Sequence, residues 1–484
     1  MTTEPTNPDL PQKPDKPLRA SALDALRGYA ILTMVLSGTM ATAILPKWMA
    51  HAQVPPPTFK FDPTIFGITW VDLVFPFFLF AMGAAFPFSI GKKLNEKNGR
   101  VKAILSALGR GVQLTFFAIF IQHMYPWVLS SPQDMSAWFT TLFAFALLFP
   151  MFMRLPDKYP QALRIGVKVA AYGLAIILLN VVTYANDRTF TLGFSNIIIL
   201  VLANMAIFGS IAYIFTYKNR LARLAILPFV MAVFLGSTTE GSWVQWFYNF
   251  SPLPWMYKFY YLKYLFIIIP GTIAGEYLMD WMKNRQLENQ ENANERKIAG
   301  SMIAITVALV VCNLYGLFTR QLVLNLVLTT GLLSGGLYLL RKKETSAIEL
   351  WNKFFKAGAY LLLLGLFFEA YEGGIRKDHS TYSYYFVCSG LAFMALIFFS
   401  VVCDFFQGSK KYFRFLVGAG QNPMIAYVGT NLLVMPLINI LGLAPSLTWF
   451  DTNPWLGFLK GVITTVLVTL VTLFFTRIKW FWRT

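Results

Sequence analysis

At 484 residues, with 56% hydrophobic and only 13% charged residues, the chain lies outside the composition of soluble globular proteins. A formal charge of +18 would suggest nucleic acid in a soluble protein, but no basic block stands apart from an apolar segment. Excess Lys and Arg is instead the ordinary mark of cytoplasmic loops in membrane proteins.

Residues 1–20 are polar and rich in Pro, Asp and Lys, with neither the basic start nor the apolar run of a cleaved signal peptide. They read as a disordered cytoplasmic tail, and residues 21–484 read as a single transmembrane domain. Fourteen apolar segments follow, near 27–45, 69–90, 103–122, 137–153, 165–184, 194–216, 222–236, 259–282, 298–318, 321–340, 355–371, 382–403, 416–442 and 456–476. Most approach the roughly 20 residues that a helix needs to cross hydrocarbon. The seventh is short and reads as a re-entrant or buried helix. The expected fold class is all-α: a polytopic integral membrane bundle in a lipid bilayer, with both termini cytoplasmic. Cys312, Cys388 and Cys403 lie inside these runs without a CxxC, which argues against a disulfide framework or a metal site.

With the N-terminus placed inside, the inner segments hold thirty Lys and Arg and the outer segments seven, and the asymmetry alternates at every loop. All three histidines, His51, His123 and His379, then fall on the outer face. Asp62, Asp187, Glu240, Glu372 and Asp378 join them, with Trp48, Trp70, Trp127, Trp243, Trp246 and Trp255 at the same level. Some of these indoles belong to an interfacial belt; others suit stacking on a sugar ring.

The first outer loop is stiffened by Pro55–Pro57 and runs through Phe61-Asp62-Pro63 to Gly67-Ile-Thr-Trp70-Val-Asp72. Asp72 opens an otherwise apolar span. It reads either as an N-terminal acid satisfying free N–H groups or as a buried functional carboxylate. A histidine with a carboxylate partner activates a hydroxyl or amine near neutral pH, which makes His51 a candidate base. Asp24 and Arg27 are spaced to pair on one helix face at the inner interface, where the Arg reads as a phosphate grip or a snorkelling anchor. Glu369 to His379 is the densest outer polar cluster, and Gly418-Ala-Gly-Gln-Asn-Pro423 signals a broken or closely packed helix.

Two stretches, Leu23-Asp-Ala-Leu-Arg-Gly28 and Gly67-Ile-Thr-Trp-Val-Asp-Leu-Val-Phe-Pro-Phe-Phe-Leu-Phe-Ala-Met-Gly83, resemble the heparan-α-glucosaminide N-acetyltransferase family and its bacterial branch. Asn196–Ala206, Phe259–Glu276, Ser380–Ala392 and Gly420–Pro423 extend the likeness over most of the chain. The resemblance implies a polytopic acyltransferase. Acetyl-CoA or another acyl-CoA is supplied from the cytosol, and a sugar or amino sugar accepts the acyl group on the other side. It also implies a bacterial inner membrane location. The family's catalytic histidine stands ten residues before the Asp of the DLVFP motif; here that position is Asp62, and the nearest histidine is His51.

The expected catalytic residues are therefore His51 or Asp62 as base, with Asp72 orienting it. Arg27, Arg110 and Gln113 are expected to contact acyl-CoA, and Trp70, Glu372 and His379 the acceptor. No metal and no nucleic acid is expected, and a homodimer is compatible with the chain. Two rival readings remain at this level. Fourteen spans with in-span Lys263, Glu276 and Glu369 suit a secondary transporter of a sugar or organic anion. Decay of the catalytic position to Asp62 suits a non-catalytic glycan-binding membrane protein.

Overall fold

The computed structural model describes residues 20–40, 42–284, 293–342 and 345–483. The tail expected over residues 1–20 lies outside them, Ala20 apart. Among the described residues the regular structure is helical, with no β-strand. Every expected apolar segment is a helix: α1 (Ser21–Thr39), α2 (Trp70–Leu94), α3 (Gly99–His123), α4 (Met135–Phe152), α5 (Gln161–Val181) and α6 (Ile197–Phe215). They continue with α7 (Arg220–Gly236), α8 (Phe259–Lys283), α9 (Ala293–Phe318), α10 (Leu322–Leu339), α11 (Ser346–Tyr371) and α12 (Tyr382–Phe405). The thirteenth segment divides into α13 (Arg414–Gln421) and α14 (Pro423–Ile440), and α15 (Pro454–Arg477) is the last.

Twelve of these helices are long and apolar enough to cross a membrane. The other two expected spans are α1, whose hydropathy is diluted by Asp24, Arg27 and small polar residues, and α7, which is only 17 residues long. The chain is an all-α polytopic membrane bundle. Its centre is α12 and α2, with 89% and 72% of their most apolar windows buried; α5, α10 and α15, at 17%, 22% and 28%, form the lipid-facing periphery.

Two features of the interior position the site. The first is the contact of α1 with α13, where backbones touch: a Cβ on Gly28 would lie 1.9 Å from the Leu416 carbonyl oxygen, and one on Gly420 1.9 Å from that of Asp24. Small residues let membrane helices approach this closely. The second is the break between α13 and α14 at Asn422-Pro423, where Pro cannot donate into a continuing helix. The Asn422 side chain turns this break into an anchor. Its Nδ2 donates to Trp480 O (2.8 Å) and its Oδ1 accepts from Trp482 N (3.2 Å). The strand of chain after α15 is thereby pinned back under the bundle, and Trp482 packs among Phe117, Phe145, Phe149 and Phe152. The sequence reading of this segment as broken or closely packed is thus met in both senses.

Candidate functional site

At one end of α2 two loops meet, residues 42–69 before it and 372–381 between α11 and α12. Gly67 N–H donates to Ile375 O (2.8 Å), and Arg376 Nη1 donates to Pro63 O (3.0 Å). Gly374 sits at φ +149 against the Phe66 ring, a conformation and a contact that only glycine accommodates. Gln53 makes the tightest link. Fully buried, it accepts from Asp378 N–H through Oε1 (2.7 Å) and donates to Asp378 O through Nε2. The primary amide pairs with the backbone of residue 378 as a strand would, and fixes where that carboxylate points.

The result is a histidine held between two carboxylates. His51 Nδ1 lies 3.3 Å from Asp72 Oδ1, and Nε2 lies 2.9 Å from Asp378 Oδ2. Asp72 is wholly buried, in a capping box with Thr69. Its Oδ2 accepts from Thr69 N (2.9 Å), Thr69 Oγ1 (3.2 Å) and Ala52 N (3.3 Å). Oδ1 has no hydrogen-bond partner among the described residues, but Lys377 Nζ stands 3.7 Å away. Gln53 N–H points at His51 Nδ1 (3.1 Å), so the network assigns the resting ring proton to Nε2, donating to Asp378. That assignment also accounts for the unbonded Oδ1 of Asp72. Burial alone pushes the Asp378 carboxyl up, but the His51 hydrogen bond and the charges of Lys377, His51 and His379 together leave it below the ordinary value of 3.8. Asp72 is thus the N-terminal acid of α2, as one sequence reading had it, and stands 3.3 Å from His51.

The other residues expected here sort differently. Asp62 binds Thr64, donor of both its N–H and its hydroxyl, and its side chain makes no contact with His51. The Thr64 hydroxyl and N–H hold its carboxyl below 3.8. Glu372 uses both oxygens on the free N–H groups of α12, Tyr382 (2.7 Å) and Ser383 (2.8 Å). Trp70 packs on the small cluster of Met40, Leu45 and Met49. His379 is exposed and stands edge-on to Phe61 (6.3 Å). His123 is buried apart, bonded to Ile119 O (2.8 Å) and enclosed by Tyr184, Phe190 and Phe194. Missing from the sequence reading of the base are Asp378 as its second carboxylate and Gln53 as its clamp; the partners lie 327 and 325 positions apart.

Along the same helix lies a cavity of about 350 Å³. Its α2 wall is Phe75, Phe78, Met82, Ala85 and Ser89, a stripe on one face. These fourteen residues of rise correspond to roughly 21 Å. Asp72 is the next member of that stripe. At the far end Arg27, Arg110 and Arg483 line the cavity, with Gln421 and Trp482, and no acid lines it among the described residues. Arg27 Nη1 donates to Asp24 Oδ1 (3.2 Å) and Gly420 O (3.3 Å). Arg110 Nε and Trp482 Nε1 are buried donors without a hydrogen-bond partner among the described residues. Leaving such donors unmet costs about 1–3 kcal/mol each, and both belong to residues that line the cavity. Of the three residues expected to contact acyl-CoA, Arg27 and Arg110 line this one cavity and Gln113 does not. Arg483 joins them because Asn422 pins the chain after α15, a long-range connection with no local sequence signal.

The model of one protein family, described as "Domain of unknown function (DUF5009)", matches residues 19–278. That is over half of the chain, and the chain belongs to this family. The matched stretch holds His51, Asp72, Arg27 and Arg110; Asp378 and Arg483 lie beyond it. No curated protein matches the chain.

Proposed function

We propose that this family member is a membrane-embedded acyltransferase. In this reading it moves an acetyl or other small acyl group from acyl-CoA, held at the arginine end of α2, to a sugar or amino sugar at the His51 end. The observation that carries the reading is the stripe on α2. One face of one helix runs from a cationic cavity with unmet donors to the Asp72–His51–Asp378 arrangement. The likeness of the Leu23–Gly28 and Gly67–Gly83 stretches to the heparan-α-glucosaminide N-acetyltransferase family supports the same chemistry.

The phosphates of the donor lie against Arg27, Arg110 and Arg483, whose planar forks suit phosphate oxygens. The apolar arm follows Met82 and Phe78 toward Phe75. The acceptor enters beside Asp378, whose side chain is 47% exposed while that of Asp72 is not exposed at all. It displaces Asp378 from Nε2, and the ring proton settles on Nδ1 facing Asp72. Nε2 then takes the proton of the attacking amine or hydroxyl as its nitrogen or oxygen bonds to the thioester carbon. The carbon–sulfur bond breaks, the sulfur keeps the electron pair, and the proton from Nε2 completes the thiol. Lys377, near Asp72 and the ring, screens the negative charge of the pair.

The in-span charges that suit a transporter are engaged in the fold: Glu276 pairs with Arg220 (2.6 Å) and Arg223 (2.7 Å), Glu369 with Arg320 (2.5 Å), and Lys263 donates to Ser380 O (3.0 Å). The test uses purified protein, labelled acetyl-CoA and a panel of amino-sugar acceptors. Saturable CoA binding and acetylated sugar are expected, with turnover falling on the order of 100-fold or more in His51→Ala. Absence of both binding and product overturns the reading.

A further inference from the structure

The cavity stops one helical turn short of Asp72, and the residue that ends it is Phe75. Its ring is 8% exposed and meets Tyr264 edge-on at 5.5 Å; Tyr264 in turn meets Tyr385 edge-on at 5.4 Å. Tyr384, beside it, donates to the Asp72 carbonyl (2.8 Å). Phe75 is thus the cavity-lining residue of α2 nearest Asp72 in the chain, backed by the Tyr264–Tyr385 aromatic pair. Phe75 occupies the step of the stripe that separates the arm of the donor from the base.

We propose that Phe75 sets the length of the acyl group that this protein transfers, admitting acetyl and excluding chains of about four carbons or more. This rests on the acyltransferase reading. A thioester whose arm follows the α2 stripe brings its carbonyl up to the Phe75 ring. A methyl group clears the ring edge when the side chain turns. A longer chain that continues along the stripe must occupy the volume of the Phe75 ring, which packs edge-on against Tyr264. Each methylene that a closed apolar site refuses changes relative turnover roughly 10- to 200-fold.

The experiment is a competition among acetyl-, butyryl- and hexanoyl-CoA with one acceptor, for the wild-type protein and for Phe75→Ala, Phe75→Leu and Phe75→Trp. Wild type is expected to favour acetyl over hexanoyl by at least about 100-fold. Phe75→Ala should shrink that ratio to about tenfold or less, Phe75→Leu should fall between, and Phe75→Trp should slow even acetyl transfer. Tyr264→Phe keeps the ring and should leave the ratio unchanged. Should Phe75→Ala fail to fold, Phe75→Leu still lowers the ratio and Phe75→Trp still lowers the acetyl rate. Wild-type transfer with an unaltered ratio in every Phe75 variant overturns this inference alone. Failure of the wild type to transfer any acyl group overturns the acyltransferase reading beneath it.

Discussion

Asp72 serves both the fold and the proposed chemistry, and two substitutions separate these roles. Its Oδ2 is the acceptor for the buried N–H groups of Thr69 and Ala52 and for the Thr69 hydroxyl. Asp72→Asn retains a carbonyl oxygen for those donors and places an NH2 group opposite His51 Nδ1 and Lys377 Nζ. Its cost is the loss of charge assistance, about 1–2 kcal/mol. Asp72→Ala leaves two backbone donors buried without an acceptor, at about 1–3 kcal/mol each, or roughly 2–6 kcal/mol together. The cap at the start of α2, itself worth about 1 kcal/mol, is contained in that figure. Tryptophan-fluorescence melting in one detergent at one protein concentration reads the difference. Asn should melt near wild type and Ala clearly lower, while both lose acyl transfer on the order of 100-fold. If Asn melts as low as Ala, the charge facing Lys377 holds the loops together, and the hydrogen-bond reasoning is refuted.

Arg110→Ala should weaken CoA binding by about 1.5–3 kcal/mol, roughly 10- to 150-fold, in titration calorimetry, since its buried Nε has no protein partner to lose; unchanged affinity would remove the cavity from the donor site. Gly28→Ala forces a Cβ to 1.9 Å from the Leu416 carbonyl and should destabilise α1 against α13 by at least about 1–3 kcal/mol in the same melting assay. Gly38→Ala, with nothing within 4 Å, is its neutral control. The depressed Asp378 carboxyl gives the closure of the 372–381 loop a definite pH sign. Its contribution is present above the ordinary carboxyl value of 3.8 and is lost as pH falls below it, because the folded state then resists a proton the open loop accepts. Limited proteolysis of that loop against pH should show this loss in wild type and not in Asp378→Asn.

Apolar runs are local, so the helices were legible in the sequence down to the short α7 and the break before Pro423. The expected segment at 355–371 falls nine residues short of the start of α11 because charged and polar residues in Ser346–Phe354 continue the helix ahead of its apolar part. Asp72, His51, Arg27 and Arg110 were legible because each is an ionisable group beside an apolar run, where burial makes it costly. Glu372 carried the same signal for another reason: it satisfies the N-terminus of α12. Asp62 drew attention through its spacing from Asp72, but spacing along a proline-rich loop does not fix direction, and the chain turns it to Thr64. Gln53 carries no charge, and Asp378 lies in a loop more than three hundred residues from its partner. Their meeting depends on how α2 and α12 pack at the centre of the bundle, which no local pattern encodes.

The most direct measurement is a structure of the protein bound to a hydrolysis-resistant acetyl-CoA analogue. The phosphates should lie on Arg27, Arg110 and Arg483, the arm along Met82 and Phe78, and the thioester at the Phe75 ring, within one turn of Asp72. An analogue bound at the His51 end, or an arm that leaves the α2 stripe bare, would contradict the proposed route from donor to base.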